Sequence, residues 1–229
     1  GIPTIRLPGP SGQQVSRSLR FKAYSYLQKS SLASVTDGKK WTLSVWIKGR
    51  LSNPLQNRTT ILATLANNGL VSLDNYSYTK KMFVRVDGAT DIRFDYPMED
   101  QSRWYHLMVV GDTTDATAAN RTVAYIDGKK IFSSAGTQPS QNYAGYINTT
   151  NYIYYIGYDA NGWYSDMFMS EYYFVDGQAL TPSSFGEYNS DNIWVPKAYS
   201  GTYGTNGWYM PFSDNSATGP YGGTTVTNI

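Results

Sequence analysis

The sequence predicts an all-β fold, an antiparallel sandwich of two sheets. Three observations predict it. Short runs alternate apolar and polar residues with period two, as a half-buried strand requires. Turn dipeptides, Asp87-Gly88, Asp127-Gly128, Asn161-Gly162 and Asp176-Gly177, punctuate those runs. Aromatic residues make up 15% of the chain, with 21 tyrosines, whereas Asp, Glu, Lys and Arg together reach only 16%. That charged share is below the usual quarter or so, and Tyr, Thr, Val, Ile and Trp suit a pleated surface. At 229 residues the chain is expected to fold as one domain with a sizeable core.

The elements follow in order. Residues 1–17 contain Pro3, Pro8 and Pro10 and read as an extended arm, either a leader without fixed structure or a strap that docks on a neighbour. Strand pattern begins at residue 18. Residues 41–48 alternate strictly, with Trp41, Leu43, Val45 and Ile47 on one face and Thr42, Ser44, Trp46 and Lys48 on the other. Residues 60–65 and 81–86 are further strands, and Asp87-Gly88 is a hairpin turn of type I′. Residues 104–110 form a strong strand. Residues 121–126, Asp127-Gly128 and residues 129–132 read as strand, turn and returning strand. A long polar loop is expected over 133–151, then strands over 152–158 and 164–175. Thr181 and Pro182 suit the N-cap and first position of one helical turn. Residues 191–205 read as irregular, and 207–212 as a last strand confined by Pro211 to an edge or end. The sandwich is thus expected over 18–216, with a tail over 217–229.

Composition excludes several classes. The formal charge is +2, from 19 basic and 17 acidic residues, and no basic run gives nucleic acid a footprint. No apolar run reaches transmembrane length and no signal-peptide pattern stands out, so no membrane insertion is expected. Cysteine is absent, which fits folding in a reducing cytosol and removes thiol chemistry and Cys-based zinc sites. Asn57, Asn75, Asn120 and Asn148 each begin a glycosylation sequon, read as chance matches in a chain rich in Asn and Thr.

Four stretches then form an ordered set: Ser18-Leu19-Arg20-Phe21, Trp41-Thr42-Leu43-Ser44-Val45-Trp46, Arg103-Trp104-Tyr105-His106 and Val123-Ala124-Tyr125-Ile126-Asp127-Gly128. Tyr155-Ile156-Gly157-Tyr158, Glu171-Tyr172-Tyr173-Phe174-Val175-Asp176-Gly177 and the extension from Phe185 to Met210 continue it. Together they resemble the concanavalin A-like lectin/laminin-G-like domains of bacteriophage structural proteins. The resemblance implies a jelly-roll sandwich whose first and last strands lie side by side. It also implies a virion surface protein made in the host cytoplasm: a capsid decoration, head fibre or tail-fibre module. Such a protein assembles with capsid or tail proteins and with itself, and can adhere to host glycans. The tail from residue 219 lacks the Asp/Asn-rich run of the phage pattern.

Catalysis finds little support in the residues. Glycosidases on such a fold need two carboxylates on one face, about 5 Å apart when they retain configuration. The chain has three glutamates, Glu99, Glu171 and Glu187, none at the required spacing. The acidic run around Asp95, Glu99 and Asp100 is interrupted by Pro97 and reads as a loop. His106, the single histidine, sits in a strand without a nucleophile motif and reads as structural, partnered by a tyrosine or a backbone carbonyl. A non-enzymatic protein is expected.

Calcium is the inorganic partner the resemblance implies, at a sandwich rim. Asp112 and Asp115, or Asp159 with Asp166, are the oxygen ligands available, and the same residues also suit turn capping. For glycan binding, rings beside amides and carboxylates are needed. Tyr158, Asp159, Asn161, Trp163 and Tyr164 supply one such mixture around a tight turn. Tyr143, Tyr146 and Tyr152, with Asn142, Asn148 and Asn151, supply another. These tyrosines equally suit a protein interface or ordinary packing. The functional reading is an assembling virion surface protein, with a lectin-like module as the alternative and a glycan-cleaving enzyme third.

Overall fold

The computed structural model describes residues 17–22, 24–29, 34–49, 58–64, 67–74, 81–96, 98–212 and 224–225. The expected arm (but for residue 17), Pro97, the sequons at Asn57 and Asn75, and most of the tail lie outside the described residues. In chain order the strands are β1 (Leu19–Arg20), β2 (Leu27–Lys29), β3 (Lys40–Gly49), β4 (Arg58–Thr64), β5 (Leu70–Asp74) and β6 (Lys81–Arg85). Then come β7 (Asp91–Asp95), β8 (Tyr105–Asp112), β9 (Thr122–Ile126), β10 (Lys129–Ile131), β11 (Ser133–Ala135) and β12 (Tyr154–Ile156). The last are β13 (Met167–Asp176), β14 (Gly186–Tyr188), β15 (Trp194–Pro196), β16 (Trp208–Met210) and β17 (Thr224–Thr225).

Two sheets form an all-β sandwich. The first has the order β1-β13-β3-β8-β9-β10, with β16 also on β13; the second has the order β11-β7-β6-β5-β4-β12-β2-β17. Pairing is antiparallel except that β17, inside the expected tail, runs parallel to β2. Alternation on β3 works as its sequence requires. Trp41, Leu43, Val45 and Ile47 enter the main core, where they meet Val71, Leu73, Val84 and Ile156 of the other sheet. Each fully buried aliphatic chain there stabilises the fold by about 1.5–3 kcal/mol.

The other face of β3 is buried too. A second apolar cluster of Met108, Val110, Val123, Tyr173, Val175 and Phe185 lies on the outside of the first sheet. The chain after β13 covers it: Leu180 N–H donates to Thr42 Oγ1, which donates to the Gln178 carbonyl. Lateral cover of this kind ends near Trp46, and the candidate site begins there.

Several expectations need correction. Residues 194–196, read as irregular, form β15, because they pair with β14 rather than with either main sheet. The loop expected over 133–151 opens with β11, an exposed edge strand whose Ser-Ser-Ala carries no apolar alternation. β5 and β7 were not anticipated from the pattern. At Asp87-Gly88 only Gly88 has positive φ, +81°, so the connection is longer than a type I′ turn, and Asp87 Oδ1 caps the N–H groups of Ala89 and Thr90. Asp127 and Gly128 do have positive φ, +49° and +76°, as that turn type demands. Thr181 precedes a 3-10 turn, Pro182–Ser184, with extended backbone, but its hydroxyl meets Ser183 Oγ instead of capping. Among the described residues no helix is long and apolar enough to cross a membrane.

Candidate functional site

On the outer face of the first sheet, period-two alternation turns Trp46 and His106 outward, since their neighbours Val45, Ile47, Tyr105 and Leu107 turn inward. Register places Trp46 opposite His106 on adjacent strands. The type I′ turn after β9 then puts Asp127 beside them. His106 N–H donates to Asp127 Oδ1 at 2.9 Å, and Asp127 N–H returns a bond to the His106 carbonyl at 2.9 Å. Arg103 Nη2 donates to the other oxygen, Asp127 Oδ2, at 2.9 Å.

The β14–β15 hairpin lays Trp194 onto this row. The Trp194 Nε1–H donates to His106 Nδ1 at 3.0 Å, and Ser44 Oγ lies 2.8 Å from Nε2. With Nδ1 accepting, the imidazole proton sits on Nε2 and points at Ser44. Burial pushes the His106 pKa down to about 3, so the ring is neutral. One of its faces stacks on Trp46 (5.2 Å, 25°), and Trp194 lies at its edge, nearly coplanar with it (5.9 Å, 22°). The histidine is structural, as expected, but its side-chain partners are a serine and a tryptophan rather than a tyrosine or a carbonyl. Two glycines complete the seat: a Cβ on Gly128 or Gly186 would lie 2.7 or 2.5 Å from the Trp194 indole.

Beyond this seat opens a groove of about 920 Å³, lined by Trp46, Trp104, Trp194 and Tyr188 with charged groups from Lys48, Arg103, Asp127 and Lys129. Tyr188 stands edge-on to Trp194 at 4.9 Å and donates its hydroxyl to the Asp127 carbonyl. A concave, mostly apolar surface with few convergent polar groups is the usual form of a small-ligand site. Broad indole faces suit the C–H face of a pyranose, and the rim cations and amides suit its hydroxyls and acidic substituents.

None of the groove's aromatic residues was among the sequence candidates. Trp46 carried a signal, a tryptophan on the polar face of a strand. Trp194 carried none, because its hairpin binds only through tertiary contacts.

The structure does bring Tyr158, Asp159, Asn161, Trp163 and Tyr164 together, on the outer face of the second sheet. Tyr158 and Tyr164 form a bridge with rings 4.7 Å apart, and Tyr24, Tyr26 and Tyr155 join them. These rings largely face one another. Asp159 is buried and its Oδ1 accepts the N–H groups of Asn161 and Trp163, closing the turn. Burial raises its pKa against those two bonds and the nearby Arg58 and Arg85. Tyr143 and Tyr146 lie in a different group: Tyr146 packs on Tyr152 at 5.5 Å, and Tyr143 packs on the main core. Asn148 is buried and donates to Asp176, which places that sequon out of reach.

Asp112 and Asp115 also act in turns. Asp112 Oδ1 accepts the Thr114 N–H at 3.0 Å, with Lys40 Nζ 3.6 Å from Oδ2, and Asp115 Oδ1 accepts the Thr117 N–H at 2.7 Å. Asp166 pairs with Arg20. Among the described residues no group of three or more His, Cys, Asp or Glu is placed to hold a metal ion.

No curated protein matches the sequence. Among solved structures, the chain is similar to a candidate carbohydrate-binding protein from Bacteroides ovatus, with 17% identity and a TM-score of 0.56 over 86% of this chain and 52% of that one. It is similar to the heptameric SAP-like pentraxin of Limulus polyphemus, with 16% identity, a TM-score of 0.51 and 76% of each chain covered. It is also similar to the enzymatically active domain of tailspike protein 2 of bacteriophage CBA120, with 15% identity and a TM-score of 0.50. That last match covers 79% of this chain but 28% of the tailspike domain, so the present chain spans about half of the Bacteroides protein and less of the phage one. At these identities the likeness concerns the fold. The family assignment rests on sequence: residues 21–184, well over half of the chain, match a family model of the concanavalin A-like lectin/glucanases superfamily, and the chain therefore belongs to that superfamily.

Proposed function

We propose that this chain is a glycan-binding module that works by recognition rather than catalysis, and that the groove on the first sheet is its binding site. The observation that carries the proposal is the immobilised aromatic lining. Trp194 is held by a hydrogen bond to a neutral histidine and by two glycines that leave no room for a Cβ. Rings locked before the ligand arrives lose little conformational entropy on binding.

Supporting the non-catalytic reading, the groove lining contains one carboxylate, Asp127, and both of its oxygens accept bonds, from His106 N–H and from Arg103. Glycoside hydrolysis uses two carboxyl groups. Glu171 is occupied elsewhere, accepting the hydroxyls of Tyr173 and Tyr209.

The finer reading is a surface protein of a tailed-phage virion, assembling with capsid or tail proteins and with itself. It rests on the ordered sequence stretches that resemble phage domains. Glycan adhesion and virion assembly are compatible readings, since one protein can do both.

A glycan array with wild-type protein and Trp104→Ala tests the site. Wild-type protein is expected to bind a defined set of glycans, and Trp104→Ala to bind them at least about thirtyfold more weakly, the scale of an aromatic hot spot. Unchanged binding by the variant would sink the site, and an array without any bound glycan would sink the function. Co-purification with virion proteins and the mass in solution test the assembly reading. A monomer that ignores purified capsid and tail proteins contradicts it.

A further inference from the structure

Resting on the glycan reading, we infer that the groove selects acidic polysaccharides, chains whose rings carry carboxylates. Its charge is unbalanced in one direction. Lys48, Arg103 and Lys129 line it against the single acid Asp127. Arg103 and Asp127 bond to each other, so that pair is neutral as a unit. Lys48 and Lys129 remain to set the field.

Asp100, outside the lining, offsets part of it. Asp100 lies close to Lys48 and Arg103, but its carboxylate is fully exposed and accepts the Ser102 N–H at 2.8 Å and the Ser102 hydroxyl at 2.6 Å. Glu187 and Asp191 belong to the same hairpin region as Tyr188 and Trp194 yet stand outside the lining.

Position matters as much as sign. Lys48 follows Trp46 by two residues on β3, so both side chains leave the same face, about 7 Å apart along the strand. The groove rings left partly open are Trp104 and Trp194, since Trp46 is only 6% exposed, and a pyranose lying on them carries its ring carboxylate at its edge, toward the ammonium groups that line the same groove. Arg103, half-exposed with its guanidinium 3.8 Å over the Tyr105 ring, is held in place by that ring and by Asp127, and its remaining N–H groups can bond a second acid or a hydroxyl. A lysine supplies attraction with little geometry and a held arginine supplies geometry, and the combination reads a row of repeated carboxylates along one chain.

The test uses the full chain and a panel: alginate, polygalacturonate, hyaluronate and polysialate, the neutral polymers dextran and mannan, carboxyl-reduced counterparts of the acidic members, and polyglutamate. Binding is measured by calorimetry. At least one acidic polysaccharide is expected to bind about tenfold or more tighter than its reduced counterpart. That affinity should fall severalfold between about 50 mM and about 500 mM NaCl. Lys48→Gln and Lys129→Gln should each weaken it about two- to fivefold, as exposed ion pairs do, and weaken binding of the reduced polymer by less, so that the preference for the acidic form narrows. Both are surface substitutions, and a melting curve confirms the fold.

Reduced and acidic polymers bound equally well, or neutral polymers alone bound, would overturn the acidic preference while leaving glycan binding intact. Polyglutamate bound as tightly as any polysaccharide, with Trp104→Ala indifferent, would show a charge effect alone and remove both readings. A panel without any bound member would remove both as well.

Discussion

Burial lowers the His106 pKa to about 3, whereas histidine in an unfolded chain titrates near 6.5. Between those values the unfolded chain binds a proton that the folded chain refuses. Stability is therefore fully present above about 6.5 and falls as pH drops, by about 1.4 kcal/mol per pH unit from this one group. Denaturant unfolding measured from pH 7 to pH 4 should show that slope, and His106→Gln should flatten it. Asp176 behaves as the opposite charge type with the same sign. Burial acts to raise its pKa, but bonds from the Asn148 amide, Thr36 and Asn206 outweigh that and hold it below the ordinary carboxylate value. Its contribution is lost as pH falls through that lowered value. Replacing Asp176 by Ala would leave the N–H groups of Thr36 and Asn206 without their acceptor and take from the Asn148 amide the shortest of its bonds, those to the Asp37 and Lys40 carbonyls remaining. An expected loss of about 3–5 kcal/mol follows from breaking a buried charged network, readable as a lower denaturation midpoint. None of these partners is near Asp176 in sequence, and an isolated Asp-Gly reads only as a turn.

At the scale of elements, the β14–β15 hairpin decides whether the groove exists. Trp194 passes its indole between Gly128, in the β9–β10 turn, and Gly186, on the hairpin itself. A methyl group on Gly186 would sit 2.5 Å from the indole and force it out. Gly186→Ala is expected to cost about 1–3 kcal/mol through overpacking and to weaken glycan binding about tenfold or more, because Trp194 then leaves His106. Melting temperature and binding isotherms check the two effects separately. The strong strands, β3, β8 and β13, were legible because each runs over eight to ten residues rich in apolar and aromatic side chains, with strict alternation on β3. The short ones, β11 and β15, span three residues each and were not. Three residues hold too few repeats to display a period, and their pairing partners decide their conformation.

Across the whole molecule, the central contacts join distant parts of the chain. β3 pairs with β13 through Trp41 and Asp176, and β1 pairs with β13 through Leu19 and Met169. Closing such long loops before any contact rewards them slows folding. Refolding followed by tryptophan fluorescence should take milliseconds to seconds, and a sub-millisecond main phase would contradict this topology. The outer faces of the two sheets also differ in kind. The first is roofed by the segment after β13 and ends in the groove; the second carries tyrosines packed on one another.

Local rules settled the class of this protein. Period-two alternation, Asp-Gly turns and scarce helix formers act between neighbours a few residues apart, and they suffice for an all-β sandwich with the apolar side of β3 inward. The non-catalytic expectation likewise came from residue types and spacing. The site was decided only by tertiary structure. Trp46, Trp104, Asp127 and Trp194 are spread over almost 150 residues, and they meet because register aligns β3 with β8, a type I′ turn presents Asp127, and a small hairpin folds back over the sheet. Sequence patterns report which face a side chain takes; they carry no term for what a distant segment lays upon that face.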